Sequence, residues 1–229
     1  MLDQPMLDQP LGRLARDIPG ATRVFREHRL DFCCGGKKLL GEALRERGVS
    51  PQQVLPDLQR LVATTDEPND WDSIDNQTLI NHILQRYHQQ HREQLPELIR
   101  LASRVEEVHG ERADCPHGLA RLLQKMHLEL QSHMLKEEQV LFPILQQPVT
   151  VPVRMPVAMM REEHDQHGEA LAELERLTHD IQPPRGACNT WRALYSGLAQ
   201  FRDDLINHIH LENNVLFPRA ESNTRGEGQ

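Results

Sequence analysis

Residues 132–143 read SHMLKEEQVLFP and residues 207–218 read NHIHLENNVLFP, so the phrase His-x3-Glu-x2-Val-Leu-Phe-Pro occurs twice, from His133 and from His208. Upstream of each lies a second shared phrase, HQQHREQLPEL from His88 and HDQHGEALAEL from His164, of pattern His-x2-His-x-Glu-x-Leu-x-Glu-Leu. The separations are 75 and 76 residues, so residues of about 75–145 and 150–220 form two units of one repeat. A repeat on this scale is architecture first, because each unit must bury its apolar face against the other.

Breaker clusters delimit the pieces. TTDEPND (64–70), HGERADCPH (109–117), QQPVTVPVRMP (146–156) and DIQPPRG (180–186) carry the prolines and glycines of turns. The segments between them, near 73–108, 117–145, 157–179 and 187–219, show helical periodicity and almost no strand character. Their apolar stripes run Ile80, Leu84, His88, His91, Leu95, Leu98, Ala102; Leu119, Leu122, Met126, Leu130, His133, Glu137, Val140, Ile144; Val157, Met160, His164, His167, Leu171, Leu174; and Leu194, Leu198, Phe201, Leu205, His208, Glu212, Val215. Steps of three and four put each set on one face. Four such helices with short connections predict an all-α, up-down-up-down four-helix bundle over 73–220.

Pro96 is expected to kink the first helix, whereas Pro143 and Pro218 mark final turns. Residues 1–63 are expected to form a small N-terminal helical domain, joined by a linker at 64–72, with a flexible tail at 221–229. Within that domain Ser50-Pro51-Gln52-Gln53 predicts a capped helix over 51–63. The glycines of DFCCGGKK predict a turn. The opening MLDQPMLDQP is a tandem duplication that takes no part in this reasoning.

Six stripe positions, His88, His133, Glu137, His164, His208 and Glu212, hold ionisable groups where leucines belong. A buried carboxylate without a partner is too costly to persist. A single histidine on an apolar face is usually a hydrogen-bonded core residue, but six such groups in a repeated pattern point to metal. His and Glu at i and i+4 lie one turn apart and about 40° around the helix, so both reach one centre. Four imidazoles and two carboxylates exceed the four ligands of a structural zinc and suit two metals with bridging glutamates. Imidazole with carboxylate favours iron, with manganese as the alternative. His91 and His167 share these faces and are either alternative ligands or supports for the ligands.

The net charge of −8 removes the electrostatic case for nucleic acid. No apolar run approaches the roughly 20 residues of a membrane span. With no basic, apolar leader at the N-terminus, the expected location is the cytoplasm. Four cysteines, Cys33, Cys34, Cys115 and Cys188, do not make a secreted disulfide framework in a chain of 229 residues.

At the six residues the chain resembles hemerythrin-like di-iron proteins. It departs from the oxygen carriers in having Gly168 where a further histidine follows His164 by four residues. It departs again in having Glu212 four residues after His208, where they carry aspartate at five. LGRLARDIPGATRVFREHRLDFCCGGKKLL, HREQLPELI, HMLKEEQVLFP and HLENNVLFPRA together resemble the RIC (repair of iron centres) family over nearly the whole chain.

The resemblance implies a non-haem di-iron centre, carboxylate- and oxo-bridged, held by His88, His133, Glu137, His164, His208 and Glu212. It also implies a role in repairing iron-sulfur clusters damaged by nitrosative or oxidative stress, by iron donation or by nitric oxide binding or reduction. The implied partners are damaged cluster proteins and nitric oxide or oxygen; a homodimer is a further expectation, separate from the resemblance. Cys33 and Cys34 match the family's paired cysteines and are expected to serve redox or iron transfer. The alternative is an oxygen- or nitric oxide-sensing module without catalysis. A ferritin-like oxidase ranks lower, since those proteins use Glu-x2-His pairs.

Overall fold

Helix caps follow the local sequence. In the computed structural model, which describes residues 6–64, 71, 73–147 and 153–223, Asp75 Oδ1 accepts the Thr78 N–H at 2.7 Å and starts α5, Asn76–Ile83. The chain continues through a π-helical turn, Leu84–His88, into α6, Gln89–His109, whose helix runs on through Pro96. After Gly118, at φ 87°, α7 (Leu119–Lys136) leads through a second π turn, Glu137–Leu141, into α8 (Phe142–Leu145). The third segment is α9, Arg154–Leu177, which starts earlier than the spacing predicts. Pro156 falls in its first turn, where no intrahelical donor is required. The fourth is α10, Asn189–Leu211, followed by a third π turn, Glu212–Leu216, and α11, Phe217–Asn223.

Over the described residues the chain divides into two compact units, Ile80–Pro148 with Arg154–Ile206, and Met1–Leu79 with Val149–Val153 and Asn207–Gln229. The first unit is the four-helix bundle. Ala120 N donates to Glu106 Oε1 at 2.9 Å near one end, and Arg92 reaches Glu138 at 2.8 Å toward the other, so α6 and α7 run antiparallel. His109 faces Trp191 and His91 faces Phe201, so α6 and α10 are antiparallel as well. The core holds Leu98, Leu123, Met126, Leu174, Trp191 and Phe201, each at most 3% exposed. A side chain of this kind contributes about 1.5–3 kcal/mol when fully buried.

One stripe is out of register with the expected pattern. Val140 is 53% exposed, and the buried positions are instead Leu141 and Leu145. The π turn after Glu137 inserts one residue, so every position beyond it moves by one around the helix.

The second unit contains α1 (Leu11–Asp17), α2 (Ala21–Glu27), α3 (Leu40–Arg47) and α4 (Pro51–Thr64). Gln53 Oε1 accepts the Ser50 N–H at 3.0 Å, the glutamine half of the expected capping box. Leu11, Phe25, Leu40, Leu44 and Leu58 are buried at its centre. Among the described residues there is no strand, only an isolated bridge between Pro10 and Leu39. None of their helices is long and apolar enough to cross a membrane. Most of the expected linker, residues 65–70 and 72, and residues 224–229 of the expected tail lie outside the described residues.

Candidate metal centre

In the bundle unit, four of the six predicted groups come together. His88 ends one π turn and Glu137 begins another, while His133 and His164 stand on α7 and α9; all four are at most 1% exposed. Glu137 Oε2 lies 3.3 Å from His88 Nε2, and Glu137 Oε1 lies 3.3 Å from His133 Nε2. One carboxylate therefore offers its two oxygens to imidazoles from two different helices. His133 Nε2 is 3.1 Å from His164 Nε2. Two nitrogens bound to one ion at roughly 2.0–2.1 Å stand about 3.0–3.4 Å apart at ordinary coordination angles, so this spacing fits a shared cation.

The outer nitrogens of these imidazoles are held from behind. His88 Nδ1 is 2.7 Å from Glu138 Oε1, which also accepts from Arg92 at 2.8 Å. His133 Nδ1 is 2.8 Å from Glu163 Oε2, and Lys136 pairs with the other Glu163 oxygen. A carboxylate on Nδ1 places the proton there and leaves Nε2 as a lone-pair donor facing inward. The His133 hydrogen bond, then Lys136, lowers the Glu163 carboxyl to about 2. Glu138 is lowered in the same way, by His88 first and then by Arg92.

Glu138 and Glu163 were not among the predicted site residues. Their signal was adjacency, since each neighbours a predicted ligand in sequence, but neither belongs to the repeat.

His91 and His167 are buried, yet neither belongs to a clustered His/Glu group among the described residues. His91 packs between Tyr87 and Phe201. His167 presents its edge to His133, ring centroids 5.1 Å apart, and burial holds it neutral with its pKa lowered to about 3.

The other two predicted groups lie in the second unit. His208 Nε2 is 3.2 Å from Glu212 Oε1, both are buried, and Glu212 opens the third π turn as Glu137 opens the second. The residues that follow hold the cysteine loop. Asn213 Nδ2 donates to the Cys33 carbonyl at 3.1 Å, and Asn214 Nδ2 donates to those of Phe32 and Cys33 at 3.1 and 3.2 Å. Asn214 Oδ1 occupies the space that a Cβ at Gly12 or Gly36 would need. Gly36 is thus required for close approach and not for a left-handed backbone. Cys33 and Cys34 are half-buried and in no disulfide, while Cys115 is buried and Cys188 is exposed beside His109.

These buried His and Glu clusters have the donor set to hold a di-iron site. Comparison with known proteins gives the same account. Residues 79–220 match the hemerythrin family, described as the hemerythrin HHE cation binding domain. Residues 7–62 match ScdA_N, a domain of unknown function. The iron-sulfur cluster repair protein YtfE of Pectobacterium carotovorum is 49% identical over 96% of this chain and 98% of that protein. YtfE of Yersinia pseudotuberculosis is 48% identical over the same shares. The probable iron-sulfur cluster repair protein of Haemophilus influenzae is 47% identical over 93% of this chain and 96% of its own length. The chain therefore belongs to the hemerythrin HHE family and, along nearly its whole length, to the family of these cluster repair proteins.

Proposed function

We propose that this chain is a cytoplasmic di-iron protein that takes part in repairing iron-sulfur clusters damaged by nitrosative or oxidative stress. His88, His133, Glu137, His164, His208 and Glu212 are the proposed ligands. The observation that carries this reading is the placement of the Glu137 carboxylate, one oxygen at 3.3 Å from each of two inward-facing imidazole nitrogens. The names borne by relatives that span 93–96% of the chain supply the biological context.

Two irons held this way would supply Lewis-acid and one-electron chemistry, suited to binding or reducing nitric oxide or to giving up iron to a damaged cluster. The chain's own contribution is orientation and insulation. Glu138 and Glu163 fix the tautomers of His88 and His133, Arg92 and Lys136 balance those carboxylates, and Phe142 stacks on His88. Cys33 and Cys34 act in redox or iron transfer. In the proposed layout, residues 1–63 form the cysteine-bearing domain, 64–72 the linker, 73–220 the di-iron bundle and 221–229 the tail. Its partners are damaged iron-sulfur proteins, with nitric oxide or oxygen as small ligands and a second copy as a homodimer.

The test is iron per chain by plasma mass spectrometry after anaerobic purification, followed by incubation with a nitric oxide-damaged iron-sulfur enzyme. Two irons per chain and recovery of the client's cluster signal are expected, with both lost in His133→Ala. Reversible, stoichiometric nitric oxide binding with no cluster recovery would replace repair by sensing. Zinc near one per chain would end the di-iron assignment.

A further inference from the structure

We infer that Asp31, Cys33 and Cys34 form a second, mononuclear site for a soft or borderline divalent cation of the iron(II) or zinc class. In this site the ion is held by two thiolates and one carboxylate, with its fourth position open.

The geometry is that of a coordination polyhedron. Cys33 Sγ and Cys34 Sγ are 3.8 Å apart, Cys33 Sγ is 3.4 Å from Asp31 Oδ1, and one ligand atom from each residue falls within 4.8 Å of the others. In a tetrahedral site with metal–sulfur bonds of roughly 2.3 Å, the sulfur–sulfur edge is about 3.8 Å. With a metal–oxygen bond of roughly 2.0–2.2 Å, the sulfur–oxygen edge is about 3.5 Å. Both edges are met with neither cysteine in a disulfide.

The loop is set before any cation arrives. Asp31 accepts from Cys34 N at 3.0 Å and from Gly35 N at 2.9 Å, and a side chain at Gly35 would collide with Asp31. From outside the loop, Asn213 and Asn214 hold the Phe32 and Cys33 carbonyls. Little ordering entropy remains to be lost when an ion binds.

The ligand set selects the ion. Thiolates favour zinc and iron over magnesium and calcium, which take oxygen. A bound dication takes the place of the thiol protons, which pass to solvent with no change of oxidation state.

Exposure decides the role. Asp31 is exposed and the cysteines are half-buried, and no fourth His, Cys, Asp or Glu joins the group among the described residues. Structural zinc sites are closed by four protein ligands, whereas an open position admits an incoming one. The site is suited to passing its ion to a client's ligand. That role rests on the cluster-repair reading above, but the metal site itself does not.

The test uses the full-length, iron-loaded protein under anaerobic conditions, titrated with cobalt(II) as the spectroscopic probe. One equivalent should produce thiolate-to-cobalt charge-transfer absorbance, which nitrogen and oxygen ligands do not give. The Cys33→Ser, Cys34→Ser double variant should lose the band entirely, and Asp31→Asn should weaken cobalt binding at least tenfold. Helical circular dichroism and bundle iron content establish that each variant is folded. In the unmodified protein, cobalt should protect Cys33 and Cys34 from iodoacetamide, read by peptide mass spectrometry, while leaving Cys188 reactive.

Absence of the band at one equivalent, or its survival in the double variant, overturns the site. Unchanged affinity in Asp31→Asn overturns the three-ligand assignment. Protein that shows the cobalt site yet restores no client cluster would overturn repair alone. Repair without the cobalt site would overturn this inference alone.

Discussion

The π turns Glu137–Leu141 and Glu212–Leu216 carry the sequences EEQVL and ENNVL and begin with equivalent glutamates. Each glutamate stands one turn beyond a histidine, at 3.3 Å in the first and 3.2 Å in the second. The next residue divides them. Glu138 braces the His88 imidazole with Arg92 behind it, whereas Asn213 donates to the Cys33 carbonyl. The repeat has kept the site-facing residue twice and given its neighbour two different tasks. In the first copy a carboxylate supports a proposed ligand, and in the second an amide ties a thiol loop to the residues that follow Glu212.

The largest expected effect tests the shared half of that comparison. Glu137→Ala and Glu212→Ala should each reduce iron from two per chain to one or fewer, measured by plasma mass spectrometry. Full iron in either variant would show that the two glutamates are not equivalent.

Next comes the register shift. Leu141→Ala should cost about 2–5 kcal/mol in chemical denaturation, as large-to-small core changes do. Val140→Ala should stay within about 0.5 kcal/mol. The reverse order would mean that the helix continues in ordinary α register past Glu137.

The divergent half predicts opposite phenotypes. Glu138→Gln should lower iron affinity by about 10–100-fold in a chelator competition, the usual effect of losing a carboxylate behind a ligating histidine. The smallest effect belongs to Asn213→Ala. It should leave iron affinity unchanged, cost about 1 kcal/mol for one hydrogen bond, and speed alkylation of Cys33 severalfold. Iron loss in Asn213→Ala, or faster alkylation in Glu138→Gln, would erase the distinction between the two turns.

Much of this was legible in the chain itself. Hydrophobic spacing located the four bundle helices and the α4 helix because periodicity and caps are local properties. The six anomalous His and Glu were visible because polar groups on an apolar stripe demand an explanation. Val140 misled because a π turn leaves no mark in hydrophobic spacing: the pattern EEQVLFP reads equally well with Val or Leu inward. Glu138 and Glu163 do not stand out because, in sequence, each is one more charged residue on a helix with many. Only a neighbouring helix, presenting His88 to one and the adjacent α7 presenting His133 to the other, gives them their role.

The sequence alone determined the all-α class, the internal repeat and the set of proposed ligands, because identity and spacing along a helix are one-dimensional quantities. The tertiary structure decided the three π turns, the carboxylates behind the imidazoles, and the hold of Asn213 and Asn214 on the cysteine loop, 180 and more residues away in sequence. Those depend on which surfaces meet, and a hydrogen bond between distant segments exists only once packing has brought them within about 3 Å.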